Sequence, residues 1–113
     1  MPLLTISTNT DIRDPGALAR DASSLTAEIL GKPESYVMVK IEPVQALSFG
    51  GSHEPAAHLR LKSLGLLEAQ TTKLSTALCD FITDKLDIPA ARIYIEFASP
   101  ERAMWGWDRR TFG

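Results

Sequence analysis

Proline stands directly after the initiating methionine, at the head of the run Pro2-Leu3-Leu4-Thr5-Ile6-Ser7. Methionine is normally trimmed when so small a residue follows, and trimming would leave Pro2 with a free secondary amine. An α-amine is one of the few protein groups that titrate near neutrality, with an ordinary pKa of roughly 7.7–8.0. A proline amine is intrinsically more basic. To work as a base at neutral pH it must lose water or sit beside a cation, since both disfavour its charged form. By position alone, Pro2 reads as a permissive second residue at a loose chain end. The elements around it decide whether it is more.

Other reactive side chains are sparse. Cys79 is the single cysteine, so no internal disulfide and no CxxC site can form. It follows Ala77-Leu78 in a helical pattern and reads as a small buried apolar residue. His53 and His58 have no clustered cysteine or carboxylate partners, so they read as loop or surface residues, and no metal site and no cofactor are expected. The formal net charge of −2 gives no electrostatic footprint for nucleic acid or an anionic membrane. No apolar run approaches a membrane span, and no basic-then-apolar leader opens the chain. The cytoplasm is the default compartment, with leaderless export as a further option.

A chain of 113 residues makes one domain, 1–113. Its elements repeat one plan. Leu3–Thr8 reads as a strand. Asp14 is the N-cap of a helix with Pro15 in its first turn. Leu18, Ala22, Leu25 and Ile29 fall on one face of that helix. Gly31 closes it in a left-handed cap, and Pro33 prevents its return. Tyr36–Glu42 alternates as a second strand, ended by Pro43. After the Gly50-Gly51 loop, His58–Lys62 is a strand, Glu68 to Leu86 a helix and Arg92–Ala98 a strand. The tail Met104–Gly113 could add a small hairpin. Two β-α-β units with right-handed crossovers predict a four-stranded mixed sheet with two helices on one face. The other face carries Met38, Lys40, Arg60, Lys62, Tyr94 and Glu96. That polar face and the sheet's exposed edges predict an oligomer.

The ordered set Pro2, Gly31-Lys32-Pro33 with Tyr36, Phe49-Gly50-Gly51-Ser52, Glu54-Pro55, Ser63-Leu64-Gly65, Arg92-Ile93-Tyr94-Ile95, Gly106-Trp107 and Thr111-Phe112 resembles the macrophage migration inhibitory factor family of the tautomerase superfamily. The likeness runs the length of the chain. It implies a homotrimer with sites between subunits. It also implies keto–enol tautomerase activity on small 2-keto or enol acids such as phenylpyruvate, with Pro2 as general base and acid.

Within that resemblance Lys32 is the cation that meets the substrate's carboxylate or carbonyl oxygen and depresses the Pro2 pKa. The Leu64 N–H binds the carboxylate, Ser63 offers a hydroxyl, and Leu3 walls the pocket. Tyr36 stands at the rim, Trp107 and Phe112 are apolar walls from the tail, and a neighbouring subunit contributes Tyr94. Glu96 occupies a position where an amide is common, and its carboxylate would repel anionic substituents. Trp105 replaces a small aliphatic residue and would narrow the entrance. Lys62 either pairs with Glu96 or stays solvated. Segment 55–58 lacks the CxxC of some relatives, so thiol oxidoreductase activity is not expected. Two alternatives stand beside the enzyme. One is a cytokine-like binding protein with a vestigial pocket. The other is a different proline-based reaction, dehalogenation or decarboxylation, for which Arg102, Arg109 and Arg110 are the candidate extra cations.

Overall fold

A computed structural model describes residues 1–113. Its strands are β1 (Leu3–Thr8), β2 (Met38–Pro43), β3 (Ala57–Lys62) and β4 (Ile93–Ala98), and its helices are α1 (Pro15–Leu30) and α2 (Thr71–Leu86). The sheet runs β2-β1-β3-β4. β1 pairs parallel with β2 and antiparallel with β3, and β3 pairs parallel with β4. This is the expected mixed sheet, with both β-α-β units intact. The two short tail strands, β5 (Gly106–Trp107) and β6 (Arg110–Thr111), form a separate hairpin.

Alternation along the strands sets the layers. Leu4 and Ile6 of β1 and Leu59 and Leu61 of β3 are fully buried, and they pack with Ala22, Leu74, Leu78 and Ile82 from the helices. Side chains of odd and even register point to opposite faces. The other face therefore shows Met38, Lys40, Arg60, Lys62, Tyr94 and Glu96 to solvent. Thr5 on that face is nonetheless buried, flanked in register by Lys40 and Arg60.

The helix-start and helix-stop expectations hold at α1. The Asp14 carboxylate accepts from the Ala17 N–H at 3.0 Å, and Gly31 takes a left-handed φ of 64°. Thr26, rather than Leu25, is the fully buried residue of its third turn, with its hydroxyl satisfied by the Ala22 carbonyl at 2.7 Å.

Several boundaries differ from the sequence reading. β2 starts at Met38 and not Tyr36, because Pro33 initiates a tight 3-10 turn over Glu34–Tyr36. That turn is closed by the Tyr36 N–H on the Pro33 carbonyl at 3.1 Å. β4 starts at Ile93, since Pro89 opens a similar turn that ends at Arg92. A 3-10 turn over Glu68–Gln70 precedes α2, and the Gln70 side chain accepts from the Leu67 N–H at 2.9 Å. β3 gains Ala57 at its start.

Arg92, freed from the strand, holds the long loop before β3. Its guanidinium donates to the carbonyls of Pro55 (2.9 Å), Phe49 (3.1 Å), Ser52 (3.2 Å) and Glu54 (3.0 Å). Asn9 holds the same loop from the other end, accepting from the Ala56 N–H at 2.9 Å. A lysine ammonium cannot reproduce a planar fork of donors. Arg92→Lys is expected to lower stability by about 1–2 kcal/mol in urea denaturation. An unchanged midpoint would show that the loop does not depend on the guanidinium.

Candidate active site

The turn after β3 provides backbone donors. Leu66 N–H returns to the Ser63 carbonyl at 3.3 Å, and Gly65 between them takes a φ of +74°. A turn of this kind uses only the first carbonyl and the last N–H. The N–H groups of Leu64 and Gly65 consequently make no hydrogen bond within the chain.

Lys32 reaches this turn from the end of α1. Its backbone N–H closes the helix cap on the Ala27 carbonyl at 3.0 Å. Its ammonium crosses to donate to the Ser63 hydroxyl at 2.8 Å and the Leu64 carbonyl at 2.6 Å. The side chain thus serves the turn after β3 and does not simply offset the dipole of its own helix. Burial pushes the Lys32 amine below its ordinary pKa. Ser63, fully buried, acts as an acceptor that positions the cation.

The tail supplies the opposite wall. Asp108 and Arg109 both take positive φ, at 51° and 65°, as a two-residue hairpin turn with right-handed strand twist requires. The turn folds Phe112 back so that its N–H meets the Trp105 carbonyl at 3.1 Å. Trp107 and Phe112 lie nearly parallel, with centroids 6.1 Å apart, and Tyr36 meets Trp107 edge-on at 6.4 Å. Arg102 ties down the end of the tail, its Nε donating to the Phe112 carbonyl at 2.8 Å.

These elements enclose an open cavity of about 350 Å³. Lys32, Leu64 and Gly65 line one side, and Tyr36, Trp107 and Phe112 the other, with Met1 and Arg102 at its ends. A neighbouring cavity, also about 350 Å³, is lined by Met1, Pro2, Leu3, Met38 and Trp105. Pro2 is buried, and its carbonyl accepts from the Met38 N–H at 3.0 Å. With Met1 in place the Pro2 nitrogen is an amide, and the chain's amine belongs to Met1. That amine is held below the ordinary terminal value, first by burial, then by the charges of Lys32 and Arg102.

Nine of the anticipated residues therefore surround the chain start: Pro2, Leu3, Lys32, Tyr36, Ser63 and Leu64, with Trp105, Trp107 and Phe112 from the tail. Tyr94 and Glu96 are not among them within one chain. They lie on β4, an edge strand separated from β1 by β3. Tyr94 is 67% exposed and packs on Phe49 with centroids 4.8 Å apart, beside a third cavity of about 290 Å³. Glu96 pairs with His58, a diagonal neighbour two residues from Arg60, which lies opposite Glu96 in register. Lys62 does not pair with Glu96; it stays exposed, with its ammonium over the Trp105 ring at 5.8 Å.

Gly65 was not anticipated as a lining residue, although its place in the turn follows from the Ser63-Leu64-Gly65 spacing. Of the three tail arginines only Arg102 reaches the cavity. Arg110 lies over the outer Trp107 ring at 5.2 Å, and Arg109 sits at the hairpin tip. The hairpin expected for the tail carried the signal for Arg102, because reversing the chain brings residue 102 back against residue 112.

The profile of the macrophage migration inhibitory factor family matches residues 1–113. The chain belongs to that family. The macrophage migration inhibitory factor of Xenopus tropicalis is 40% identical over 115 residues, covering 99% of each chain. The homologue of Trichinella spiralis is 41% identical over 114 residues, covering 99% of this chain and 100% of its own. Among solved structures, the macrophage migration inhibitory factor homologue of Prochlorococcus marinus superposes with a TM-score of 0.92 at 38% identity. It covers 98% of this chain and 99% of its own. The family's tautomerase-like fold is thus the fold of this chain, and isomerase chemistry is the activity class the family suggests. No three His, Cys, Asp or Glu side chains converge as a metal site would require, and no helix is long and apolar enough to cross a membrane.

Proposed function

We propose that this protein is a keto–enol tautomerase for small 2-oxo acids of the phenylpyruvate class, with Pro2, exposed by removal of Met1, as its base and acid. The observation that carries this reading is the setting of the chain start. A terminal amine here is partly desolvated and near two cations, and both effects keep an amine neutral at lower pH.

The mechanism follows from the neighbours. The Pro2 nitrogen takes a proton from the carbon beside the substrate carbonyl, or from the enol hydroxyl in the reverse direction, and then returns it to the other position. Negative charge grows on the carbonyl oxygen, and Lys32, held by Ser63 and the Leu64 carbonyl, stabilises it. The free N–H groups of Leu64 and Gly65, on residues that line the cavity, are donors for the substrate carboxylate. Tyr36, Trp107 and Phe112 pack the apolar end of the substrate and exclude water, which strengthens each of these interactions.

The same reading includes a homotrimer in which a neighbour's Tyr94 and Glu96 complete the site. β2 and β4 are edge strands, and the exposed Tyr94 and Met38 lie on the open sheet face beside them. Edge pairing between copies would remove both edges. Sedimentation is expected at three times the chain mass of 12.4 kDa. A monomer at micromolar concentration would contradict the shared site.

The enzymatic test is tautomerisation of phenylenolpyruvate. Pro2→Gly is expected to lower kcat/KM about 10²-fold or more, the usual contribution of a positioned base. Lys32→Met should move the acid limb of the profile to higher pH. Removing a cation makes the protonated amine less unfavourable, so its pKa rises and a higher pH is needed to free the base. An inactive wild type, or a Pro2→Gly variant of equal activity, would refute the assignment. A limb that stays in place in Lys32→Met would remove Lys32 from the base's environment.

A further inference from the structure

Arg102 carries a guanidinium that the fold uses only in part. Its Nε donates to the Phe112 carbonyl at 2.8 Å, and it makes no other hydrogen bond and no ion pair with a carboxylate. Its two terminal nitrogens are left without a partner, and the residue lines a cavity that has no acidic side chain among its lining residues. Lys32, the other cation of the cavity, is more committed. Two of the three donors of its ammonium are spent on Ser63 and Leu64. One ammonium donor remains beside the neutral Leu64 and Gly65 N–H groups, while a 2-oxo acid presents two sites of negative charge as it reacts, its carboxylate and its developing enolate oxygen.

We propose that Arg102 is a second substrate-binding residue, whose terminal nitrogens join the Leu64 N–H on the carboxylate of the 2-oxo acid and leave the remaining proton of Lys32 for the enolate oxygen. This assignment rests on the tautomerase reading. A guanidinium edge matches the planar carboxylate with paired donors, which an ammonium cannot do. The Nε bond to Phe112 holds the head group before a ligand arrives, so less side-chain freedom is lost on binding. It also couples the cation to the aromatic wall, because Phe112 stacks on Trp107. A substrate held between Arg102 and that wall presents one charged end and one apolar end to surfaces of matching character. The charge of Arg102 also reaches the chain start, where it helps depress the terminal amine. The neighbouring tail cations do not compete for this role, since Arg110 lies over Trp107 and Arg109 occupies the hairpin tip. Arg102 is exposed in the single chain, so solvent screening limits the effect to a moderate one.

The test is direct binding by NMR titration of two unreactive probes, 3-phenylpropanoate and its neutral amide, to the mature protein. Wild type is expected to prefer the carboxylate. Arg102→Gln keeps a donor for the Phe112 carbonyl but removes the charge. It should reduce the carboxylate preference about fivefold and leave amide affinity within about twofold. Arg102→Lys, which keeps the charge, should retain at least half of the preference even if the glutamine variant folds poorly, and Arg109→Gln should match wild type. Equal weakening of both probes, or Arg102→Lys behaving as Arg102→Gln does, would show that Arg102 only tethers the tail. A wild type with no preference would also overturn the proposal. Binding needs no turnover, so an inactive wild type with an Arg102-dependent preference would refute the tautomerase reading and leave the carboxylate site standing.

Discussion

The tie between Lys32 and the turn after β3 is the interaction on which the rest of the site depends. One ammonium, at the end of α1, bonds the hydroxyl of Ser63 and the carbonyl of Leu64. It joins the first β-α-β unit to the second at the end of the sheet where the chain begins. It also places a positive charge in partly dry surroundings, where its field reaches farther than in water. The start of β1 is the nearby group that responds. A terminal amine there finds its protonated form opposed by burial and by this charge.

The remaining parts of the site surround that pair. The Gly65 turn frees backbone donors on one side, and the tail hairpin brings aromatic rings to the other. The hairpin is a separate sheet, attached through Phe112 to the Trp105 carbonyl and the Arg102 side chain. Its two positive-φ residues are not glycines, so the turn carries some backbone cost. Packing of Tyr36, Trp107 and Phe112 offsets part of that cost, and the same packing makes the cavity wall. Toward the β4 edge of the sheet, Tyr94 and the His58–Glu96 pair are left outside this construction. A single chain therefore presents most of a site at one end of the sheet and aromatic and acidic side chains toward its β4 edge.

Local chemistry was legible in the sequence wherever a residue acts within its own element. Asp14 as a cap, Gly31 in a left-handed conformation and the alternation of Leu59 and Leu61 are all such cases. The mixed sheet followed from the crossover rule once the elements were placed. Boundaries were missed where a proline opened a 3-10 turn, at Pro33 and Pro89, because extended residues after proline look the same before and inside a strand. Long-range side-chain choices were less legible. Nothing near Lys32 in sequence shows that its ammonium crosses to Ser63, and nothing near Arg92 shows four carbonyls waiting in a loop around 40 residues earlier. The partner of Glu96 depended on strand register, which placed Arg60 opposite it and His58 diagonally within reach. Family resemblance assembled the site residues where periodicity alone could not.

The central claim is that Pro2 becomes a desolvated amine beside Lys32. Titration of the mature protein labelled with nitrogen-15 proline measures it most directly, with mass spectrometry to establish that Met1 has been removed. The Pro2 nitrogen is predicted to titrate well below free proline, and to rise toward it in Lys32→Met. A Pro2 pKa at the free-proline value, or a mature chain that retains Met1, would contradict the account.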